Sequence, residues 1–120
     1  MTIIILSAIT IQLGISPAKA QSETESSWTT LTPMPTARAG FGLAVVSGKI
    51  YAIGGTNGDN TPLNTVEEYN PVTDQWTTKN AMPTPRSGFA TAVYDNKIYV
   101  IGGSLSSGFA ANNEVYDPAT

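Results

Sequence analysis

Residues 28–55 of this chain recur as residues 76–103, at a constant offset and without a gap. When the two segments are aligned, 17 of the 28 positions are identical. A repeat of this period is typical of proteins built from stacked supersecondary units. Such proteins act through a surface that neighbouring units share, so we expect a site spread over several loops rather than one catalytic cluster.

The composition excludes several classes of functional site. The chain has 120 residues, a net charge of −3 and neither cysteine nor histidine. It therefore has no disulfide framework, no thiolate or imidazole metal ligand and no Ser–His or Cys–His nucleophile. Its basic residues are scattered singly, so nothing indicates nucleic-acid binding. We expect no cofactor, no metal and no catalytic residue, and no nucleic acid among the partners.

The N-terminal segment, residues 1–20, differs in kind from the rest of the chain. A largely apolar stretch from Ile3 to Ile15 is followed by Ala18-Lys19-Ala20, the small-x-small pattern of a signal-peptidase site. We predict a signal peptide over residues 1–20, a polar linker over 21–27, and a secreted or periplasmic chain that has no membrane contact after cleavage. The alternative is a non-cleaved anchor or a chance apolar terminus, because no Lys or Arg precedes the apolar core.

Each repeat has the pattern of short strands separated by turn residues, and no helical periodicity competes with it. Ser47-Gly48 and Asp95-Asn96 stand between the first two strands of each unit, and these residue types favour the positive φ of tight hairpins. The predicted strands are 41–46, 49–53, 65–69 and 75–78 in the first unit, 89–94, 97–101 and 113–116 in the second, and 27–30 ahead of both.

The second strand of the first unit is apolar on both faces. Ile50 and Ala52 project to one side of the strand, and Tyr51 and Ile53 project to the other. A sheet with one face in water would alternate apolar and polar residues, so each sheet should have a neighbour on both sides. Sheets packed radially round an axis satisfy this requirement. We therefore predict an all-β fold, a partial β-propeller of four-stranded antiparallel blades.

Three kinds of anchor residue recur along the chain: a double glycine, a tyrosine before an Asn-Pro or Asp-Pro turn, and a tryptophan. In the first unit they are Gly54-Gly55, Tyr69-Asn70-Pro71 and Trp76. Over residues 28–120 the sequence resembles the kelch repeat. The resemblance implies one propeller blade per repeat, with the first strand innermost and the Trp-bearing strand outermost. It also implies that four aromatic residues pack between blades: Trp28, Tyr69, Trp76 and Tyr116.

The kelch units do not make up a full ring. Residues 38–85 are predicted to form a complete kelch repeat, residues 86–120 a repeat lacking its fourth strand, and residues 28–37 the outer strand of an incomplete blade. Two blades alone would leave large apolar faces exposed. Three explanations stay open: a piece of a longer propeller, a ring assembled from several copies, or a stand-alone blade pair. Further kelch blades, in cis or in trans, are thus expected partners.

Antiparallel strand order brings the long loops together on one rim of the blades. We call this rim the loop face; it comprises residues 56–64 and 104–112 and the approaches to the first strands at Arg38 and Arg86. Long polar loops on a rigid scaffold are where binding residues concentrate. The candidate binding residues are Arg38, Arg86, Ser87, Asn57, Asp59, Asn60, Ser104, Ser106, Ser107 and Phe109.

The two arginines have competing interpretations. Kelch domains that bind acidic peptides line the pocket with arginines in an Arg-Ser-Gly context, which Arg86-Ser87-Gly88 matches and Arg38-Ala39-Gly40 matches in part. A guanidinium fork suits a carboxylate ligand. The structural alternative is that each arginine ties a loop carbonyl or pairs with an acid of a neighbouring blade.

The resemblance implies an exported binding module that takes a protein or glycan on the loop face. One alternative is part of an exported carbohydrate-acting propeller enzyme, such as a sugar epimerase or mutarotase, and another is a purely structural blade pair. The copper oxidases of the family need histidines, which this chain lacks. Glu67 and Glu68 are adjacent on a predicted strand and point to opposite faces, so they cannot form a general acid–base pair. We expect a binding module rather than an enzyme.

Overall fold

The structure, a computed structural model, describes residues 27–120. Within them, all secondary structure is β. The strands are β1 Gly42–Val46, β2 Lys49–Ile53, β3 Val66–Asn70, β4 Gln75–Lys79, β5 Ala90–Tyr94, β6 Lys97–Ile101 and β7 Asn113–Tyr116. They form a four-stranded sheet in the order β1-β2-β3-β4 and a three-stranded sheet in the order β5-β6-β7, with every pair antiparallel. The predicted fold class is confirmed.

The tight turns between the first two strands of each sheet explain the turn residues in the sequence. Ser47 and Gly48 have φ values of 49° and 72°, and Asp95 and Asn96 have φ values of 49° and 56°. Positive φ at both central residues is the geometry whose twist matches that of the flanking strands. Asp and Asn tolerate it better than bulkier residues, so the hairpins form where the sequence indicates.

The two sheets pack face to face through an apolar core. The first sheet contributes Ala44, Val46, Tyr51, Ile53 and Val66, the second contributes Ile98 and Val100, and Met82 joins them from the connection between the sheets. Tyr51 meets Tyr116 of β7 edge-on, with ring centroids 6.0 Å apart. The predicted packing of Tyr116 between blades is therefore present.

The connection between the sheets is fixed to the first sheet by backbone hydrogen bonds. Gly55 donates to the carbonyl of Arg86 at 2.9 Å, and the Arg86 amide donates to the carbonyl of Leu63 at 3.1 Å. Slightly further along the chain, the amide of Gly88 donates to the carbonyl of Gly40 at 2.8 Å. These bonds align the starts of β1 and β5, and so they bring the loops of both units to the same rim.

Each sheet also has a face that turns away from the other sheet. We call these faces flank 1, on the first sheet, and flank 2, on the second. Their members follow from the strand registers, because residues paired directly across an antiparallel ladder share a face. Flank 1 carries Leu43, Val45, Ile50, Ala52, Glu67 and Tyr69, and flank 2 carries Ala90, Ala92, Tyr94, Tyr99, Ile101 and Val115.

The outer strand predicted within residues 28–37 is not formed. No strand begins before Gly42 in the described chain, and Trp28 is 88% exposed. A strand requires the edge of another strand beside it, and the edge that corresponds to the one β4 occupies in the first sheet, that of β7, belongs to the second sheet. The predicted signal peptide and most of the predicted linker lie outside the described residues. Within residues 27–120, no helix is long and apolar enough to span a membrane.

Candidate functional site

A buried ion pair anchors the segment that enters the first sheet. The Arg38 side chain has no exposed surface; its Nη2 contacts the Glu67 carboxylate and its Nη1 donates to the carbonyls of Gly54 and Thr65 at 3.2 and 2.9 Å. The hydroxyl of Thr36 donates to the other oxygen of Glu67 at 2.6 Å. The entering segment is thereby held to both β2 and β3.

The same arrangement recurs on the second sheet. The Arg86 side chain is also fully buried, and its Nη1 donates to the carbonyls of Gly102 and Asn112, both at 3.0 Å. Its Nη2 lies 2.8 Å from Oε1 of Glu114, and the hydroxyl of Thr84 donates to that same oxygen. We call these two sets of contacts the first and second Arg–Glu clamps.

The clamps favour the structural alternative for the two arginines. The sequence leaves two roles open for Arg38 and Arg86, a pocket for an acidic ligand or a structural tie, and in the structure both guanidinium groups are buried and contact protein oxygens. As in the structural alternative, each arginine ties loop carbonyls, but its partner is an acid of its own repeat and not of a neighbouring blade. Neither guanidinium, as placed, can reach a ligand on the loop face.

Sequence reasoning missed the acids of the clamps, although a signal for them was present. Glu67 and Glu114 each stand two residues before the tyrosine that precedes the proline turn. Thr36 and Thr84 likewise stand two residues before the arginines. Three residue types that recur together in two units indicate a shared contact, even though the acid lies far from the arginine along the chain.

In the first loop of the loop face, residues 56–64, hydrogen bonds from the backbone to the Asn57 side chain fix the backbone conformation. The Asn57 side-chain oxygen accepts hydrogen bonds from the amides of Asp59 and Thr61 at 3.1 and 3.0 Å. Asn60 has a φ of 59°, a conformation that asparagine adopts more readily than most residues. Asn57 is therefore a turn-forming residue, whereas Asp59 and Asn60 are exposed at the tip of the loop. Among the described residues, no group of three or more Asp or Glu could hold a metal ion.

The second loop, residues 104–112, is held at its base by backbone hydrogen bonds and leaves an aromatic ring exposed to solvent. Ser87 and Ser104 exchange backbone hydrogen bonds at 3.0 and 2.8 Å, so the structure brings these two predicted residues together. The amide of Leu105 donates to the carbonyl of Gly108 at 2.9 Å, which closes a short turn. Phe109, which follows this turn, is 86% exposed. A rigid loop thus presents a large apolar side chain to solvent.

A groove of about 400 Å³ lies between the two loops. Its lining has no charged residue, and it combines hydroxyl groups with proline and leucine side chains. Of the predicted binding residues, Ser106 and Ser107 line this groove, and Asn57 and Arg38 are among the residues that line a smaller depression. The lining residues of the groove are Thr61, Pro62, Thr84, Pro85, Leu105, Ser106 and Ser107.

The groups with perturbed pKa values lie elsewhere, around the strands and the opposite rim. Burial, reinforced by donation to the Glu68 carboxylate at 2.6 Å, raises the pKa of Tyr51. Burial opposes ionisation of Glu68, but hydrogen bonds from Tyr51 and Lys79 outweigh it and lower the pKa of that carboxyl. These shifts result from sheet packing rather than from the loop face.

Comparison with known proteins identifies the repeat and one related fold. A family model described as the Kelch motif matches residues 37–83 and 85–120. Among solved structures, the one described as "Structure of YjhT" is similar at a TM-score of 0.57 and 33% sequence identity. The likeness covers 63% of this chain and 24% of that chain, so this chain spans about a quarter of the length of YjhT. No curated protein matches the chain.

Proposed function

Because this chain belongs to the kelch-repeat family, we propose that it is an exported binding module that takes an uncharged segment of a protein or glycan on its loop face. The described residues are two blades of a kelch propeller. Export rests on the pattern of residues 1–20, and binding rests on the geometry of the loop face.

The groove between the loops is the observation that carries the proposal. Binding pockets are concave and mostly apolar, with a few polar groups that fix the orientation of the ligand. Ser106, Ser107 and Thr61 supply hydroxyl groups, while Pro62 and Pro85 supply apolar walls. The groove is open to solvent and lies where both rigid loops meet.

Phe109 adds an exposed aromatic ring on the same loop as Leu105, Ser106 and Ser107 of the groove. Aromatic side chains are enriched among the residues that dominate binding energy, because they bury a large area at small entropic cost. Since the guanidinium groups of Arg38 and Arg86 are already occupied by Glu67 and Glu114, an acidic ligand loses its expected partners. The composition of the groove therefore favours an uncharged ligand.

Binding is preferred to catalysis because the acids of both clamps are already engaged by other side chains. Glu67 and Glu114 are each engaged by an arginine and a threonine, so neither supplies a free general acid or base. The exported carbohydrate-acting enzyme stays the alternative function, and no contact within the described residues favours it.

The test is an NMR titration of the ¹⁵N-labelled 120-residue chain with two sets of probes: neutral trisaccharides (chitotriose, cellotriose and maltotriose) and neutral decapeptides. We expect at least one probe to shift the amides of Thr61, Leu105, Ser106 and Ser107 together. Ser107→Arg, which fills the groove, should lower the affinity for that probe by about tenfold or more, and tenfold is equivalent to about 1.4 kcal/mol of binding free energy. Phe109→Ala should weaken it as well.

The matched control is Val72→Arg, at a 91% exposed position in the turn between β3 and β4, on the opposite rim. It introduces the same side chain away from the groove and should leave binding unchanged. The proposal fails if no probe shifts the groove amides, or if Ser107→Arg and Val72→Arg have equal effects on affinity.

A further inference from the structure

We propose that a second copy of this chain docks flank 2 against flank 1 and accepts residues 27–31 of the first copy as a fourth strand on β7. The contact joins opposite ends of two copies, so it leaves one flank open on each and can repeat. Such head-to-tail contacts generate rings when the rotation closes.

The interface inside the molecule is the template for this contact. The face of the first sheet that meets the second sheet carries Ala44, Tyr51 and Ile53. Flank 2 carries the equivalent residues of the next repeat, with an alanine, a tyrosine and an isoleucine in the same places: Ala92, Tyr99 and Ile101.

Flank 1 likewise repeats the other half of the template. The face of the second sheet that meets the first carries Val93, Ile98, Glu114 and Tyr116. The corresponding positions on flank 1 are Val45, Ile50, Glu67 and Tyr69. Flank 2 therefore corresponds to the packed face of the first sheet, and flank 1 corresponds to the packed face of the second sheet.

Both flanks expose apolar side chains that such a contact would cover. Val45 on flank 1 is 62% exposed, and Tyr94 and Val115 on flank 2 are 74% and 57% exposed. Large contiguous apolar patches on a soluble protein mark interaction surfaces. Covering them removes apolar area from water, which favours association.

The edge of β7 provides an independent observation. The first sheet has β4 beside β3, whereas within the described residues β7 has no strand at the corresponding edge. Residues 27–31, Ser-Trp-Thr-Thr-Leu, align with Gln75–Lys79 of β4 and share its Trp-Thr-Thr. An exposed edge of unpaired amides and carbonyls is a template for a strand from another chain.

The position of the N-terminal segment matches this role. Thr36 and Arg38 contact Glu67 on flank 1 just as Thr84 and Arg86, which follow β4, contact Glu114 on the second sheet. Residues 27–31 therefore precede the first clamp as β4 precedes the second. A second copy docked on flank 1 would bring its β7 edge to this segment, whereas within one copy the first sheet lies between them.

Engineered cysteines test the strand pairing directly, because the native chain has none. Glu68 pairs with Thr77 in the β3–β4 ladder, so the corresponding pair between copies is Val115 and Thr29. Mixing Thr29→Cys chains with Val115→Cys chains under mild oxidation should give a disulfide-linked heterodimer. Directly opposed strand residues approach closely enough for a disulfide. Thr29→Cys mixed with Val72→Cys, in the exposed β3–β4 turn, should give at least about tenfold less crosslink.

The double variant Thr29→Cys/Val115→Cys separates a partner copy from the chain itself. Linked species of two or more chains support the proposal, whereas an internally crosslinked single chain overturns it. Analytical ultracentrifugation of the native 120-residue chain should show assemblies of two or more chains, and Tyr94→Asp on flank 2 should convert them to single chains. Val72→Asp should leave the assembly intact. A native chain that sediments as a monomer even at high concentration contradicts the proposal.

Discussion

Nη2 of Arg86 lies 2.8 Å from Oε1 of Glu114, and the arginine side chain has no surface in contact with solvent. The contact joins the connection between the sheets to β7, because Arg86 stands before β5 and Glu114 lies on β7. An equivalent pair, Arg38 and Glu67, joins the N-terminal segment to β3. The arginines whose sequence context suits an acidic ligand are structural residues that attach each blade to the segment preceding it.

Breaking the second clamp should destabilise the fold strongly. Glu114→Ala leaves the buried guanidinium of Arg86 without its counter-charge, and breaking a buried pair from one side costs about 3–5 kcal/mol. The urea midpoint, followed by circular dichroism, should fall accordingly. If the native chain has only a few kcal/mol of stability, Glu114→Ala should already be unfolded without urea, and that result would also agree with the prediction.

Two matched variants make the result specific to the buried pair. Lys97→Ala removes an exposed ion pair with Asp117 at 3.6 Å, and it should cost about 0–1 kcal/mol. The double variant Arg86→Met/Glu114→Leu, which replaces both charges by apolar groups, should recover much of the stability lost in Glu114→Ala. If Lys97→Ala and Glu114→Ala lowered the midpoint equally, burial would not be the source of the effect.

The hairpins of this fold could be predicted from sequence because their signals are local. Ser47-Gly48 and Asp95-Asn96 determine the turns, and the flanking residues determine the strands. The role of the arginines could not be predicted in the same way. Arg38 reaches a carboxylate 29 residues away in sequence, and whether it turns toward that acid or toward solvent depends on the packing of β2 and β3.

The absent strand near Trp28 shows a second limit of sequence reasoning. Residues 27–30 have the same Trp-Thr-Thr as β4, yet β4 pairs with β3 and residues 27–30 form no strand. The difference lies in the neighbour and not in the segment, since a strand is stabilised by hydrogen bonds to an adjacent edge. A repeat in the sequence identifies which segments can be strands, but the available edges decide which of them are.

Gly54 should be intolerant of a side chain because two separate effects coincide there. Its φ is +56°, and a Cβ added at this position would lie 2.7 Å from the carbonyl oxygen of Arg86 and 2.9 Å from the Phe89 ring. Gly54→Ala should therefore cost about 1–2 kcal/mol for the left-handed backbone and about 1–3 kcal/mol for the clash. The urea midpoint measures the sum.

Gly48→Ala is the control that separates the two effects at Gly54. Gly48 also has a positive φ, +72°, but a Cβ there would meet nothing within 4 Å. It should show the backbone cost alone, about 1–2 kcal/mol. If Gly54→Ala and Gly48→Ala lost equal stability, the residues around Gly54 would be shown to move aside for the added Cβ at no energetic cost.

The hydrogen bonds at Asp74 should make stability depend on pH in the acid range. The Tyr69 hydroxyl, 2.8 Å away, and the Thr32 amide, 2.9 Å away, both donate to Oδ1 of Asp74. The Tyr69 hydroxyl first, and then the Thr32 amide, lower the pKa of Asp74 from its ordinary value of 3.8. Since the folded state holds the carboxylate more strongly than the unfolded state, the stabilisation is present above pH 3.8 and is lost as the pH falls through the lower, folded-state value.

We therefore expect the urea midpoint to fall between pH 5 and pH 2.5, and Asp74→Asn to reduce that fall because no carboxyl then titrates at this position. Tyr69→Phe should also reduce it, since removing the donor lets the pKa of Asp74 return toward 3.8. Val72→Asn, in the same turn, adds no titrating group and should keep the native pH dependence. A native slope in both Asp74→Asn and Tyr69→Phe would show that the acid sensitivity arises from other carboxylates, with the Glu68 carboxyl, whose pKa is also lowered, as the next one to test.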